Sequence, residues 1–462
     1  MGIGKKLSTI IPAIIFLAFP TVKLHAYEFE ASGFYFNIIS ENPATVEVTY
    51  GNNPGIDYLG EKNLPSEVSF EGKNYTVTVI GTNAFIYCNY LESIRLPETI
   101  KEIKEFSFCN CSSLREINFP EGLEIIEMGA FETCMELTSL KFPSSLREIG
   151  ISSFGFCSQV EEIEFGENLQ SIGILAFQGC SSLRTLSLPA TVTEIGKNAF
   201  SYCLSLEDIN VSPDNPAFAS YNGLIYDKSL DNLICCPMGK RSVELSPTLK
   251  TVEESAFFGC KRIENIEFPE SLKKIGELAF SGCTALTSIN LPNNIQTINN
   301  AAFRGCESLQ EVSLGSRLTY IGDKTFQGCH DITSICIYAV KPPMTGVDIF
   351  ESDIYTDAVL HIPESFSEEY YTTEPWCDFL TISEDLPVDS GIEDINGDLS
   401  LIMIDRVVDG FDIKGLPAGE TVTVATIDGK MIYRGTNHQI RGLSKGIYIL
   451  ATTCHTQKLI IR

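Results

Sequence analysis

A phenylalanine every 23 residues is the feature that most restricts how this chain can fold. The series runs six times from Phe85 to Phe200 and four times from Phe257 to Phe326. Each phenylalanine is followed at the third position by a cysteine, and each of these cysteines at the third position by an aliphatic residue. The ten cysteines are Cys88, Cys111, Cys134, Cys157, Cys180, Cys203, Cys260, Cys283, Cys306 and Cys329. Ten coincidences in register indicate a structural unit that is stacked repeatedly.

The apolar period changes within each unit. The phenylalanine, cysteine and aliphatic positions lie three residues apart, which predicts one inward face of a short helical or 3₁₀ turn. Ile94 and Leu96 then alternate with polar residues before Pro97, which predicts a short strand that the proline ends. A second extended piece, as at 146–150, completes the coil. Because one unit cannot bury its apolar side alone, the sequence predicts a repeat solenoid of short β-strands with a cap at each end.

The stretch from Ile275 to Pro292 reads I-G-x-x-A-F-x-x-C-x-x-L-x-x-I-x-L-P. In this phrase the chain resembles the BspA-like leucine-rich repeat proteins of bacterial surfaces. The resemblance covers roughly 79–382, and it departs from the pattern where Gly166 and Gly315 replace proline and Asn299 replaces glycine. It implies a leucine-rich-repeat-like solenoid, which we assign to 79–338, and a role in protein–protein interaction and adhesion.

The repeat is interrupted once. Phe200 and Phe257 are separated by two periods and 11 further residues, which predicts a divergent coil with an insertion at about 212–250. This insertion is unusually aromatic, since it carries Phe218, Tyr221 and Tyr226. Insertions in solenoids often mark the functional face.

The cysteines of the repeat predict a packed column. Equivalent positions of stacked strands lie about 4.8 Å apart, but their side chains run parallel, so the Cβ atoms do not converge as a disulfide requires. Four such positions are also spread too far along the axis for one tetrahedral zinc site. We therefore interpret these cysteines as small buried core residues.

The N-terminus has the pattern of a secretory signal. Lys5 and Lys6 precede an apolar run to Phe19, and a small-residue cleavage site follows at Ala26. We interpret 1–26 as a signal peptide, with an uncleaved anchor as the alternative, and expect no membrane span in the mature chain. Residues 27–78 are out of phase with the repeat and predict a β-rich N-terminal cap.

Beyond the repeat, residues 339–383 predict the C-terminal cap of the solenoid, with Trp376 filling the open end of its core. Residues 384–395 are acidic and without apolar period, which is typical of a linker. Residues 396–462 alternate like strands and contain turn signals, which predicts a small β-sandwich.

The final residues resemble the C-terminal sorting domains of type IX secretion substrates. The similarity lies in six residues, Asp428, Gly429, Lys430, Gly446, Tyr448 and Lys458. It implies recognition by an outer-membrane export machinery, and a plain accessory β-domain is the alternative.

Little in the sequence indicates catalysis or a cofactor. The net charge of −27 argues against nucleic acid as a partner, because a phosphate ligand requires a basic surface. The histidines outside the signal fall in different coils or domains, and no familiar catalytic motif occurs. Asp394, Asn396 and Asp398 are spaced like calcium-loop ligands, but Leu399 replaces the glycine of the turn, so an acidic linker is the preferred interpretation.

Two surfaces are candidates for binding. One is the outward ladder of the strands, with Arg95, Asn118, Lys141, Glu164, Asn210 and Glu267, and the other is the aromatic insertion. We expect a secreted or cell-surface binding protein that contacts an extracellular protein or a cell-surface ligand and is not an enzyme. A glycan-binding or glycan-hydrolysing protein and a structural spacer of the envelope are the alternatives.

Overall fold

The computed structural model describes residues 27–364, 367–387, 403–407, 410–414, 422–426, 430–436, 439–441, 446–451 and 456–461. The predicted signal peptide and the Asp394–Asp398 segment lie outside these residues. The chain forms two compact units. The first comprises the described residues up to Ser229 and the segment Pro237–Lys240, and the second comprises Leu230–Cys236 and the described residues from Arg241 onward.

The first unit is built almost entirely of short strands. They are β1 (Phe29–Ala31), β2 (Phe34–Glu41), β3 (Ala44–Thr49), β4 (Gly60–Asn63), β5 (Glu67–Phe70), β6 (Lys73–Ile80), β7 (Leu91–Arg95), β8 (Glu102–Ile103), β9 (Glu116–Ile117), β10 (Ile125–Ile126), β11 (Ser139–Lys141), β12 (Glu148–Ile149), β13 (Glu162–Glu164), β14 (Ser171–Ile172), β15 (Thr185–Leu188), β16 (Glu194–Ile195), β17 (Asp208–Val211), β18 (Phe218–Tyr221) and β19 (Leu224–Asp227).

Each coil of the first unit contributes two strands, as the sequence predicts. The second strands of successive coils pair in parallel in the order β8-β10-β12-β14-β16. β6 of the N-terminal cap pairs in parallel with β8, so the cap extends the same sheet. The first strands of the coils form three smaller sheets, β4-β7-β9, β11-β13 and β15-β17, and these carry the outward ladder.

The second unit continues the repeat and then departs from it. Its elements are β20 (Asn232–Cys235), β21 (Thr251–Val252), β22 (Lys274–Ile275), β23 (Ser288–Asn290), β24 (Thr297–Ile298), β25 (Glu311–Leu314), β26 (Tyr320–Ile321), β27 (Ser334–Ile337), β28 (Met344–Thr345), α1 (Ile354–Asp357), β29 (Val359–Pro363), α2 (Ser367–Tyr370), a 3₁₀ turn (Trp376–Asp378), β30 (Thr381–Leu386), β31 (Met403–Val407), β32 (Gly410–Lys414), β33 (Val422–Thr426), β34 (Met431–Gly435), β35 (Gln439–Arg441), β36 (Gly446–Ala451) and β37 (Thr456–Ile461).

Parallel pairing again organises the coils of the second unit. One sheet has the order β20-β21-β22-β24-β26-β28, and the other has the order β23-β25-β27-β29-β30. The predicted linker at 384–395 begins too early, because β30 continues to Leu386, which pairs with Pro363 of β29. Residues 388–395 lie outside the described part of the chain. Among the described residues, no helix has the length and apolar character needed to cross a bilayer.

The C-terminal strands form two antiparallel sheets, β31-β32-β35 and β34-β33-β36-β37. They correspond to the strand-like alternation that the sequence shows beyond residue 396. Of the residues that resemble a sorting tail, Lys430 directly precedes β34, Gly446 and Tyr448 lie in β36, and Lys458 lies in β37. Asp428 and Gly429 lie outside the described residues.

The phenylalanines of the repeat form a stack in each unit. In the first unit the ring centroids of Phe85 and Phe108 lie 4.7 Å apart with planes 3° from parallel, and Tyr58 of the cap packs on Phe85 at 4.6 Å. In the second unit the stack extends beyond Phe326 to Phe350 at 5.2 Å. The stacked rings and the aliphatic positions fill the core.

Trp376 closes the core of the second unit, as predicted. Its ring lies edge-on to Phe350 at 6.2 Å and is fully buried. Because a buried indole N–H requires a partner, its Nε1 donates to the carbonyl oxygen of Pro343 at 3.1 Å.

The segment predicted as a short helical or 3₁₀ turn is a chain of tight turns. The i→i+3 hydrogen bonds of a 3₁₀ turn are present, for example from Cys88 N to Phe85 O at 3.1 Å. Two residues of each turn have positive φ, such as Asn83 at 61° and Tyr87 at 60°. A left-handed residue cannot continue a helix, so the described repeats contain no helix. Alternate N–H groups bond instead to the next coil, as Phe85 N does to Ser107 O at 2.7 Å.

The cysteine column is buried and hydrogen-bonded. In both units the thiol of one coil donates to the phenylalanine carbonyl of the preceding coil, as Cys157 Sγ does to Phe131 O at 3.2 Å. The packing role was predicted, but this hydrogen bond was not. Burial raises the pKa of the Cys157 thiol to about 12, so it stays protonated and donates. The ten cysteines of the column form no disulfide with one another.

Candidate binding surface

The outward ladder is exposed but is not one continuous sheet. Arg95, Lys141, Glu164, Asn210 and Glu267 are all exposed, as predicted, although Glu267 lies outside any regular strand. Lys141 and Glu164 form an ion pair across β11 and β13, with Nζ–Oε2 at 2.9 Å. Because such an exposed pair contributes little to stability, a ligand can separate these two side chains at little cost.

Asn118 has a structural role in the ladder. Its Oδ1 accepts from Leu96 N at 2.7 Å and its Nδ2 donates to Leu96 O at 2.9 Å. The side-chain amide thus replaces a backbone hydrogen-bonded pair between two coils. Both the donor and the acceptor of the Asn118 amide are therefore already used. Asn118 and Arg95 line a shallow groove of about 290 Å³ together with Glu61 and Lys62.

A larger groove beside Glu164 is acidic. It has a volume of about 760 Å³, and its charged lining residues are Glu161, Glu162, Glu164, Glu167 and Asp214. The other lining side chains are hydroxylic or apolar. Because all its charged lining residues are carboxylates, this groove repels anions and does not suit a phosphate or a nucleic acid.

The start of the predicted insertion is a β-hairpin in the first unit. β18 and β19 pair antiparallel with Phe218 opposite Asp227. The hairpin is anchored by the buried Asn215, whose Nδ2 donates to Val192 O at 2.7 Å and whose Oδ1 accepts from Phe218 N at 2.8 Å. A Lys240–Asp208 ion pair at 3.0 Å joins a later part of the insertion to β17.

The structure corrects one predicted residue of the insertion. Tyr226 is fully buried and cannot contact a ligand, because β19 turns it into the core with its neighbours Leu224 and Ile225. Its ring packs edge-on against Tyr221 at 6.4 Å. Tyr221 and Phe218 are half-buried, and each keeps a solvent-facing part.

Phe218 lies at a groove that the sequence did not indicate. We call it the Phe218 groove, and it measures about 540 Å³. The other side chains that give it its character are Ile151 and Ile174, each 44% exposed, and the carboxylates Glu148 and Glu194.

Its lining includes Gly150, Gly173 and Gly196, one from each of three successive coils. A Cβ on Gly173 would lie 2.5 Å from the carbonyl carbon of Gly150, so the close stacking of coils requires glycine there. The result is a groove of mixed polarity, with exposed apolar side chains and an acidic rim.

Exposed aromatic residues mark the turns of the first unit. Tyr87, Phe156 and Tyr202 occupy the position before the cysteine with φ near 60°, and each is about half-exposed. In the second unit the same position holds glycine in all four coils, for example Gly282 with φ 75°. Bulky residues are disfavoured at positive φ. This contrast between aromatic residues and glycine at one repeat position is visible in the sequence, although the repeat pattern alone did not single it out.

Solved structures with the same fold come from several bacteria. The pneumococcal vaccine antigen PcpA is similar over 78% of this chain and 98% of that chain, with 24% identity and a TM-score of 0.63. A leucine-rich cell surface protein of Faecalibacterium prausnitzii matches 67% of this chain and 94% of its own, with 24% identity and a TM-score of 0.51. A leucine-rich repeat protein of Eubacterium ventriosum matches 79% and 97%, with 18% identity and a TM-score of 0.53. These likenesses show the fold.

No curated protein matches this chain. The family model of the BspA type leucine rich repeat region, in contrast, matches residues 78–207 and 235–343 in six copies. These two stretches amount to more than half of the chain, and they include the 23-residue phenylalanine–cysteine pattern. The chain therefore belongs to the BspA-type leucine-rich repeat family.

Proposed function

We propose that this protein is an exported cell-surface repeat protein that binds a polypeptide partner in the Phe218 groove. The observation that carries the proposal is the groove itself, where Ile151 and Ile174 are exposed on adjacent coils beside Phe218. Apolar side chains that line a concave site supply binding energy when a ligand removes them from water.

The rim of the groove defines the chemistry of the partner. Glu148 and Glu194 are exposed carboxylates, and the whole chain has a net charge of −27. A segment with an apolar residue flanked by lysine or arginine would fill the groove and pair with its rim. The overall charge would also accelerate the approach of a basic partner at low ionic strength.

The test is selection from a phage-displayed library of short random peptides on the purified chain without residues 1–26. We expect enrichment of peptides with an apolar residue between basic residues. The I151D/I174D double variant should bind the enriched peptides at least roughly tenfold more weakly, since charge in an apolar contact is costly.

Leu204→Asp is the matched control, because Leu204 is an exposed apolar residue of the same unit that does not line the groove. It should leave peptide affinity unchanged. Selection without a basic–apolar consensus, or equal affinity for I151D/I174D and the unmodified chain, would refute the proposal.

We also propose that the signal-like N-terminus directs export and that the C-terminal β-domain acts as a sorting tail. The support is the basic and apolar pattern of 1–26 and the placement of Gly446, Tyr448 and Lys458 in strands of one sheet. The test compares surface exposure of the intact chain with that of a chain ending at Pro387. The shortened chain should be retained inside the outer membrane, and equal exposure of both would reject the sorting role.

A further inference from the structure

A cysteine, a histidine and an aspartate lie together on the outward face of the second unit. Cys336 of β27 is in register with His361 of β29, and His361 is in register with Ser383 of β30. In-register residues of parallel strands have side chains on the same face, and adjacent strands lie about 4.8 Å apart. The sequence did not predict that these residues lie close together, because His361 follows Cys336 by 25 positions and belongs to a different coil.

His361 is held in a defined orientation. Its Nδ1 lies 2.9 Å from both carboxylate oxygens of Asp385, and Ser383 Oγ donates to Asp385 Oδ2 at 2.9 Å. The hydrogen bond from His361 lowers the pKa of Asp385, so the carboxylate stays ionised. A neutral imidazole that donates from Nδ1 keeps the lone pair of Nε2 available as a base.

Cys336 differs from the cysteines of the column. Its side chain is half-buried, whereas all ten column cysteines are buried. Burial, followed by the negative charges of Asp385 and Glu311, raises the pKa of the Cys336 thiol, while a hydrogen bond with Ser334 opposes the shift. At neutral pH the thiol is therefore protonated and needs a base before it can act as a nucleophile.

We propose that Cys336 is a reactive thiol that exchanges with small disulfides, with His361 as its base and Asp385 as the group that orients the imidazole. His361 Nε2 accepts the proton of the Cys336 thiol, and the thiolate sulfur attacks one sulfur of a disulfide R–S–S–R. A Cys336–S–S–R bond forms, the R–S–S–R bond breaks, and the departing thiolate takes the proton from His361. The product is a reversible mixed disulfide on Cys336. This reaction does not depend on binding of a partner in the Phe218 groove.

The experiment treats the folded full-length chain with oxidised glutathione and follows each modified cysteine by peptide mass spectrometry across a range of pH. Cys377 is the internal control, since it is also half-buried and lies beside a carboxylate, with Sγ 3.9 Å from Asp378 Oδ1. At neutral pH we expect Cys336 to be modified at least roughly tenfold faster than Cys377, a threshold below the roughly 10²–10⁴-fold that a positioned general base typically contributes.

His361→Gln should remove this advantage at Cys336 and leave Cys377 unchanged, and the remaining reaction should grow with pH as the thiolate fraction does. Asp385→Asn should slow Cys336 because it disfavours the Nδ1–H tautomer. Added imidazole should partly restore the rate of His361→Gly, which separates a base from a packing role. Equal rates at Cys336 and Cys377, or a His361→Gln rate that matches the unmodified chain over the whole pH range, would overturn the proposal.

Discussion

At the scale of single residues, the cysteine column shows what repeat spacing reveals and what it leaves out. The 23-residue period placed Cys157 in a parallel column and made disulfides and tetrahedral zinc geometrically unsuitable, and its burial agrees with a packing role. The thiol-to-carbonyl hydrogen bond could not be predicted, because it depends on where the turn of the preceding coil directs its carbonyl groups.

Cys157→Ala tests this role of the thiol. The change removes a fully buried sulfur and leaves the Phe131 carbonyl without one of its donors. We expect a loss of about 1–2 kcal/mol in the free energy of unfolding, measured by urea denaturation. Cys377→Ala, at a half-buried site outside the column, is the control. A Cys157→Ala variant as stable as the unmodified chain would mean that neither the packing of the sulfur nor its hydrogen bond stabilises the coil.

At the scale of elements, the strands were more predictable than the turns. Alternation such as Ile94 and Leu96 has few interpretations other than a strand with one buried face. The three-residue spacing of phenylalanine, cysteine and leucine fits a 3₁₀ turn and a series of separate tight turns equally well. The sign of φ distinguishes these two kinds of turn. In the sequence, only a glycine at this position, such as Gly282, indicates that φ is positive.

Two glycines are required for different reasons, Gly282 for its positive φ and Gly173 for the close packing of coils. Gly282 has φ 75°, but a Cβ added there would lie no closer than 3.8 Å to a neighbouring atom, so Gly282→Ala should cost about 1 kcal/mol from the backbone alone. At Gly173 a Cβ would lie 2.5 Å from backbone atoms of Gly150. Since backbone cannot move aside as a flexible side chain can, Gly173→Ala should cost more, about 2–3 kcal/mol. Urea denaturation of the two variants checks the order, and the reverse order would contradict the account of coil stacking.

Trp376 provides the corresponding test for the end of the core. Trp376→Ala should lower the stability of the second unit by about 3–5 kcal/mol, because it leaves Phe350 uncovered. Trp376→Phe should cost less, since it keeps an aromatic ring but leaves the Pro343 carbonyl without its donor. Denaturation followed by circular dichroism distinguishes the two. Equal losses would mean that the hydrogen bond, and not the ring, makes the cap.

At the scale of the whole molecule, the two units use the same repeat for different surfaces. The first presents Tyr87, Phe156 and Tyr202 at its turns, where the second has glycine. The sequence predicted the repeat and directed attention to the interrupted coil. It could not indicate the Phe218 groove, because Phe218 meets Ile151 and Ile174 only after two adjacent coils and the hairpin are folded together.

The most direct test of the proposed binding site is to find where a partner contacts the chain. A photo-crosslinking phenylalanine derivative would replace Ile174 in the groove, Ser187 on the ladder or Leu204 at an exposed turn, one at a time. We expect peptides selected on the unmodified chain to crosslink strongly from position 174 and weakly from positions 187 and 204. Stronger crosslinking from position 187, or equal crosslinking from all three, would contradict the proposed binding site.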